Sequence, residues 1–173
     1  MLNLTKATPQ DIAALKHQLG RVPRGVVGIS ARCMCGKPLV VATAPVLPGG
    51  EPFPTTFYLT HPALVKAASR LEAEHVMETY QDQLADPEVA EKYAAAHHQY
   101  LQARAEVARA AGTGEPEAIA GITAGGMPTR VKCLHALIGH SLSVGPGVNP
   151  VGDMALSEVG ARGWWDKARC YCA

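Results

Sequence analysis

The sequence predicts an α+β fold in which a small antiparallel sheet of about three strands packs against an αα-hairpin and further helices. Short β-prone stretches follow one another between residues 24 and 60. From residue 61 onward the apolar residues recur at helical spacing. The chain has 173 residues and no internal repeat, which favours a single domain over residues 1–173.

A first helix is predicted within residues 7–21. Thr8 is a suitable N-cap, and Pro9 suits the first helical position. Asp11 lies three residues past the cap, where an acid completes a capping box. Gly20 is expected to end the helix.

Three strands are predicted next. The stretches "RGVVGISARC" (24–33) and "KPLVVATAPVL" (37–47) flank the turn "MCG". "TTFYLT" (55–60) is rich in β-branched and aromatic residues and is predicted as the third strand. Short strands in close succession favour antiparallel pairing.

Two helices are predicted over 61–85 and 86–112, with Asp86 and Pro87 marking their junction. They are expected to form the αα-hairpin. Within helix 87–111, apolar and tyrosine residues step alternately by four and three. This seam predicts core packing or, as the alternative, a homodimer or protein-partner contact. Its members are Val89, Tyr93, Ala96, Tyr100, Ala103, Val107 and Ala110.

The charge pattern argues against several classes of partner. The net charge is +1 and no block of like charge occurs, so neither nucleic acid nor an anionic membrane is predicted as a partner. The sequence contains no signal-peptide pattern and no run of the ~18 apolar residues that a membrane span needs. A cytoplasmic location is therefore expected, and with it five reduced cysteines.

A metal site is predicted around "CMCG", where Cys33 and Cys35 flank a turn. A chain of this size can bury roughly 70% of its unfolded surface, so a metal would indicate function or local stapling. His61 precedes one predicted helix, and Cys133 lies in the first turns of the helix predicted over 129–145. The favoured ligand set is Cys33, Cys35, His61 and Cys133, with zinc as the expected metal and an iron–sulfur cluster as the alternative.

A second ligand set remains open. The ending "RCYCA" contains Cys170 and Cys172, which could complete an all-thiolate site with Cys33 and Cys35. We rank this set lower, because residues 166–173 are predicted to form a flexible tail.

An enzyme is the alternative to a metal-binding protein. Cys133 near a helix N-terminus could be a nucleophile, with His61 or His135 as its base, in a cysteine- or metal-dependent hydrolase. The sequence places no acid clearly beside such a histidine. If Cys133 is helical, His135 is expected to project from nearly the opposite face. The glycine-rich connector 112–128 is predicted to be a flexible linker.

The chain resembles the DUF501 family of small actinobacterial proteins of unknown function over about residues 10–165. The resemblance implies a link to cell division or polyphosphate metabolism, because members are often encoded beside a septum-formation initiator protein and an exopolyphosphatase-like protein. The matching stretches are "RGVVGISARCMCGKPLVVATAPVLPGGEPFPTTFYLTHPAL", "SRLEAEHVM", "AGGMPTRVKCLHALIGHSLSVGPGVNPVGDMAL" and "WW".

Two departures from the family pattern concern the predicted ligands. Family members often have "LTCP" where this chain has "LTHP", and a Cys/His alternation at position 61 implies a metal ligand. Relatives that lack the second thiol of C-x-C argue against Cys35 as an essential ligand. Cys170 and Cys172 have no counterpart in the resemblance.

Overall fold

The computed structural model describes residues 2–172; Met1 and Ala173, the ends of the predicted domain and tail, lie outside the described residues. The described residues contain a three-stranded antiparallel sheet and six α-helices, which confirms the predicted α+β class. Within the same range, no helix combines the length and the apolar character that crossing a bilayer requires. The elements are α1 (Pro9–Leu19), β1 (Val26–Arg32), β2 (Pro38–Thr43), β3 (Phe57–Leu59), α2 (Pro62–Ala73), α3 (Val76–Gln83), α4 (Pro87–Ala111), α5 (Leu134–Val144) and α6 (Pro150–Ala161).

Helix α1 begins and ends where its capping residues predict. The Thr8 hydroxyl accepts a hydrogen bond from the Asp11 backbone N–H at 3.2 Å. In return the Asp11 carboxylate accepts one from the Thr8 N–H at 2.9 Å, which completes the capping box. Gly20 ends the helix in the left-handed conformation, with φ of 68°.

Strand β2 lies at the centre of the sheet, between β1 and β3, and all its residues are buried. Successive side chains of a strand point to opposite faces. Val40 accordingly joins the main core, whereas Val41 packs with Leu15 of α1 and Ile29 of β1 in a smaller cluster. Both faces of the sheet are therefore covered.

The single helix predicted over 61–85 is broken into α2 and α3, so that prediction was wrong. Glu74 ends α2, and His75 adopts a left-handed backbone conformation with φ of 60°. Glycine is the usual residue in this conformation. Because histidine occupies the position, the sequence contains no local signal for the break.

Helix α5 approaches its neighbours closely at two glycines. A Cβ added to Gly139 would lie 2.7 Å from the carbonyl oxygen of Phe57 in β3. A Cβ added to Gly152, in α6, would lie 2.3 Å from the carbonyl oxygen of Leu137 in α5. These contacts place α5 directly between β3 and α6, with no room for a larger residue at either site.

The central part of the apolar seam of α4 packs in the core, as the core-packing alternative predicts, whereas Ala110 at its end is exposed. Tyr93, Tyr100 and Val107 are fully buried. The Tyr100 hydroxyl also donates to the Pro54 carbonyl at 3.0 Å and accepts from the Thr56 N–H at 2.7 Å. A homodimer or partner contact through helix 87–111 stays a prediction, and it would have to use residues other than the buried members of this seam.

The connector 112–128 is held by a buried arginine rather than being a free linker. Arg104 of α4 is fully buried. Its guanidinium donates to the Glu115 carboxylate at 2.7 Å, to the Ile119 carbonyl at 3.0 Å and to the Ile122 carbonyl. The planar guanidinium of arginine carries five N–H donors and can therefore make several such hydrogen bonds at once. It fixes the segment that leads into α5.

Candidate metal centre

The β1–β2 hairpin turn holds the first pair of thiols. The Cys33 carbonyl accepts a hydrogen bond from the Gly36 N–H at 2.8 Å, and the Cys33 N–H donates to the Lys37 carbonyl at 2.9 Å. Gly36 has φ of 88°, a conformation that glycine adopts without strain. The tight turn leaves Cys33 buried and Cys35 exposed.

The C-terminal segment brings a second pair of thiols to this turn. Cys33, Cys35, Cys170 and Cys172 form a group, here called the cysteine cluster, whose four sulfurs all lie within 4.8 Å of one another. All are free thiols. The Lys37 ammonium donates to the Cys172 carbonyl at 2.9 Å and so also ties the segment to the hairpin.

Neighbouring thiols shift the pKa values of Cys35 and Cys172 in opposite directions. A hydrogen bond with the Lys37 backbone, together with contacts from neighbouring thiols, lowers the pKa of Cys35 to about 7. Burial, together with Cys33 and Cys35, raises the pKa of Cys172 well above its ordinary value. Cys35 therefore loses its proton easily, whereas Cys172 loses its proton with difficulty. A divalent cation would remove this conflict, because metal coordination deprotonates thiols outright.

His61 borders the cysteine cluster. Its imidazole is fully buried, and its Nε2 lies 3.2 Å from the Cys172 sulfur. Within the described residues its Nδ1 has no hydrogen-bond partner. Burial lowers the pKa of His61, with Lys37 acting in the same direction, so the ring is neutral. In the tautomer that carries its proton on Nε2, the ring donates to the Cys172 sulfur.

An ion pair braces the hairpin from the side of α1. The Arg32 guanidinium donates to the two Asp11 carboxylate oxygens at 2.7 and 3.0 Å and to the Gly36 carbonyl at 2.8 Å. Arg32 lowers the pKa of Asp11 to about 2, and hydrogen bonds from Thr8 act in the same direction. The turn that holds Cys33 is thus fixed to α1 through one guanidinium.

A second group of donors lies where α2 meets the start of α5. Glu72, Cys133 and His135 form this mixed-ligand cluster, and their donor atoms lie within 4.8 Å of one another. The Glu72 Oε1 accepts from the Leu134 N–H at 2.7 Å and lies 3.1 Å from His135 Nδ1. The contact with Cys133, together with the Glu72 carboxylate, raises the pKa of His135 to about 9.

The expectation that Cys133 and His135 project from opposite helix faces was wrong. Cys133 is the N-cap of α5, with an extended backbone at φ −152° and ψ 109°, and the helix begins at Leu134. An extended residue just before a helix turns its side chain toward the first turn. Glu72 was missed by sequence reasoning, because nothing local distinguishes it from the other acids of residues 72–78.

The favoured ligand set is divided between these two groups. Cys33 and Cys35 lie with the cysteines of the lower-ranked alternative, His61 lies at the edge of that cluster, and Cys133 belongs to the mixed-ligand cluster. The imidazole that adjoins Cys133 is that of His135, and Glu72 is the acid beside it. The hydrolase alternative, if correct, would therefore use His135 rather than His61.

His140 takes no part in either group. Its imidazole is fully buried, and burial lowers its pKa to about 3. The Asn149 amide lies 3.1 Å from Nδ1, and the Gln99 carbonyl oxygen lies 2.5 Å from Nε2. Both ring nitrogens are thus occupied, and the ring stacks on Phe57 as part of the core.

Comparison with known proteins identifies the family. No curated protein and no solved structure matched the chain. The model of a family described as a protein of unknown function, DUF501, matches residues 29–157, which is well over half of the chain. The matched span includes Cys33, Cys35 and the whole mixed-ligand cluster, but it ends before Cys170 and Cys172. The chain belongs to the DUF501 family.

Proposed function

We propose that the cysteine cluster binds one zinc ion, which clamps the C-terminal segment onto the β1–β2 hairpin. The observation that carries this proposal is the convergence of four free thiols from two distant parts of the chain within 4.8 Å of one another. Four protein thiolates would fill a tetrahedral zinc ion, and closed sites of this kind are structural.

The spacing of the sulfurs supports a single ion rather than an iron–sulfur cluster. A tetrahedral zinc ion with bonds of about 2.3 Å holds its sulfurs about 3.8 Å apart. The 4.8 Å limit on the sulfur separations is compatible with that spacing after a small contraction. An iron–sulfur cluster inserts several metal ions between its cysteines and needs wider separations. Zinc is therefore the preferred metal.

The surroundings of the cluster suit a negatively charged metal centre. Four thiolates on a divalent ion carry a net charge of −2, which is costly beside a core unless it is compensated. The Lys37 ammonium lies against the Cys172 carbonyl, and the His61 Nε2–H is positioned to donate to the Cys172 sulfur. Outer hydrogen bonds of this type orient metal ligands and tune the metal.

The site needs a reducing compartment such as the cytoplasm, where thiols stay available for a metal. We propose that the clamped protein acts there through partner proteins. The link to cell division or polyphosphate metabolism that the family resemblance implies would then reflect such partners. Metal binding at either cluster does not depend on such a link. Identifying the proteins that bind this chain tests the link separately.

The decisive experiment measures metal content in protein purified without a His-tag and without air. The double variant Cys170→Ser/Cys172→Ser should lose one zinc per chain relative to the unchanged protein, and Cys33→Ser should lose the same amount. Unchanged metal content in both variants would reject the clamp. A brown protein that contains iron and sulfide would indicate an iron–sulfur cluster instead of zinc. A protein mass lowered by the loss of thiol hydrogens would show that the cysteines form disulfides and bind neither metal centre.

A further inference from the structure

We infer that Glu72, Cys133 and His135 form a second divalent-metal site, independent of the cysteine cluster, with one coordination position open to a cavity. The three residues supply a carboxylate oxygen, a sulfur and an imidazole nitrogen within 4.8 Å of one another. Zinc is commonly bound by these three donor types, and three protein ligands with one open position are the pattern of catalytic zinc sites.

The separation of two donors matches the edge of a coordination tetrahedron. Zinc bonds to nitrogen and to carboxylate oxygen are about 2.0–2.2 Å long, so two such ligands lie about 3.3 Å apart. His135 Nδ1 and Glu72 Oε1 are 3.1 Å apart. A metal ion can therefore bind both atoms with little movement of either side chain.

Hydrogen bonds already orient the side chains of two of the ligands. The other ring nitrogen of His135, Nε2, lies 3.1 Å from the Ser69 hydroxyl, which can accept its proton, and a metal at Nδ1 would displace the proton that this nitrogen shares with Glu72. The Glu72 Oε1 accepts from the Leu134 N–H at 2.7 Å. Metal-binding histidines and carboxylates usually have such outer partners.

The helices fix these positions before any metal binds. Glu72 lies in the last turn of α2, Cys133 caps α5, and His135 lies in the first turn of α5. The two helices pack against each other through fully buried residues such as Leu71 and Leu134. Sites on packed helices are held more accurately than sites on loops.

The open side of the cluster faces a cavity of about 600 Å³ between β3, α2 and α5. Cys133 and His135 line this cavity, together with apolar side chains and hydroxyls. Lys66 and His135 are the basic residues that line it, and none of the described residues lining it carries a carboxylate. The fourth position is therefore expected to take water or a small anionic donor.

Metal content of single-site variants tests the site. The unchanged protein, reconstituted with zinc, should hold two ions per chain. Cys133→Ser should lose one of them, and Cys170→Ser/Cys172→Ser should lose the other. Serine is a favourable N-cap residue, so Cys133→Ser should fold normally. If Cys133→Ser holds as much zinc as the unchanged protein, the inference is wrong, whatever the cysteine cluster binds.

A variant of Ser69 tests whether Glu72, Cys133 and His135 coordinate a metal or only stabilise the fold. Ser69→Ala should weaken zinc binding at this site about tenfold or more in competition with a chelator, because outer-partner variants typically cost 10–100-fold. Ser157 is an exposed serine of α6, and Ser157→Ala is the matched control with unchanged affinity. Equal affinity in both variants would contradict the proposed orientation of His135.

The open position has its own test. Cobalt bound to the Cys170→Ser/Cys172→Ser protein would report the mixed-ligand cluster alone, and its visible spectrum should change when azide is added. An unchanged spectrum would show that no exchangeable position faces the cavity. Unaltered alkylation of Cys133 by iodoacetamide, with zinc present or absent, would overturn metal binding and leave a free thiol.

Discussion

The two donor groups of this protein are assembled in opposite ways. The mixed-ligand cluster lies on two helices that pack in the main core. The cysteine cluster depends on residues 170–172, which form no regular structure, and its exposed members are Cys35 and Cys170. A site on packed helices is expected to keep its geometry without a metal, whereas a site completed by an irregular segment is expected to depend on the metal to stay assembled.

Removal of zinc should produce the largest difference between the two groups. A chelator, or Cys33→Ser, should release the C-terminal segment and raise proteolytic cleavage within residues 166–172 by an order of magnitude or more. Each 1.4 kcal/mol by which the loss of zinc destabilises the bound segment multiplies the fraction of molecules with a detached segment about tenfold. Limited proteolysis with mass spectrometry measures this. Cleavage around Cys133 should stay slow, and equal acceleration at both places would remove the distinction.

The close packing of α5, which carries His135 of the mixed-ligand cluster, against α6 should have the next largest effect on stability. Gly152→Ala places a Cβ 2.3 Å from the Leu137 carbonyl oxygen and should cost about 2–3 kcal/mol of unfolding free energy. Gly160→Ala in the same helix is the matched control, because its nearest neighbour would be 3.9 Å away. Urea unfolding compares the two. A similar stability for both variants would contradict the close contact between α5 and α6.

The stability that the Asp11–Arg32 ion pair gives to the β1–β2 hairpin should be lost in acid. The pKa of Asp11 is lowered from 3.8 to about 2, so its contribution is fully present above pH 4 and is lost as the pH falls through about 2. Asp11→Asn should therefore cost about 2 kcal/mol at pH 7 and almost nothing near pH 2.

Urea unfolding at several pH values measures the Asp11 effect. Exposed Asp82 has no ion pair among the described residues, so Asp82→Asn should change stability by no more than about 0.5 kcal/mol. A cost for Asp11→Asn that does not depend on pH would assign the stabilisation to the capping hydrogen bonds instead of the carboxylate charge.

The smallest expected effect distinguishes two exposed thiols within the cysteine cluster. In metal-free protein at pH 7, iodoacetamide should modify Cys35 about fivefold or more faster than Cys170. The pKa of Cys35 is lowered to about 7. A hydrogen bond with the Cys172 backbone lowers the pKa of Cys170, but the neighbouring Cys35 raises it above its ordinary value overall.

Mass spectrometry of the modified peptides gives the two rates, and zinc should protect both thiols. Equal rates in metal-free protein would contradict the opposite pKa shifts of Cys35 and Cys170. Protection of Cys133 by the same first equivalent of zinc would mean that the two groups fill together.

Much of the fold could be predicted from local sequence patterns. Helix α1 follows from Thr8, Asp11 and Gly20, whose hydrogen bonds and conformations involve residues at most four positions apart. The hairpin follows from two β-prone stretches around a glycine turn. The break at His75 did not follow, because a left-handed backbone is uncommon for residues other than glycine and the sequence has a histidine there.

The sequence by itself determined which residues were available as ligands. It contains five cysteines, two C-x-C pairs and one Cys-x-His, in a chain whose net charge is +1. Only the tertiary structure decided how they group. Glu72 reaches Cys133 because α2 packs on α5, and Cys170 reaches Cys35 because the segment after α6 returns to the hairpin. Such contacts are made by packing and chain closure over long distances, and local preferences extend over only a few residues.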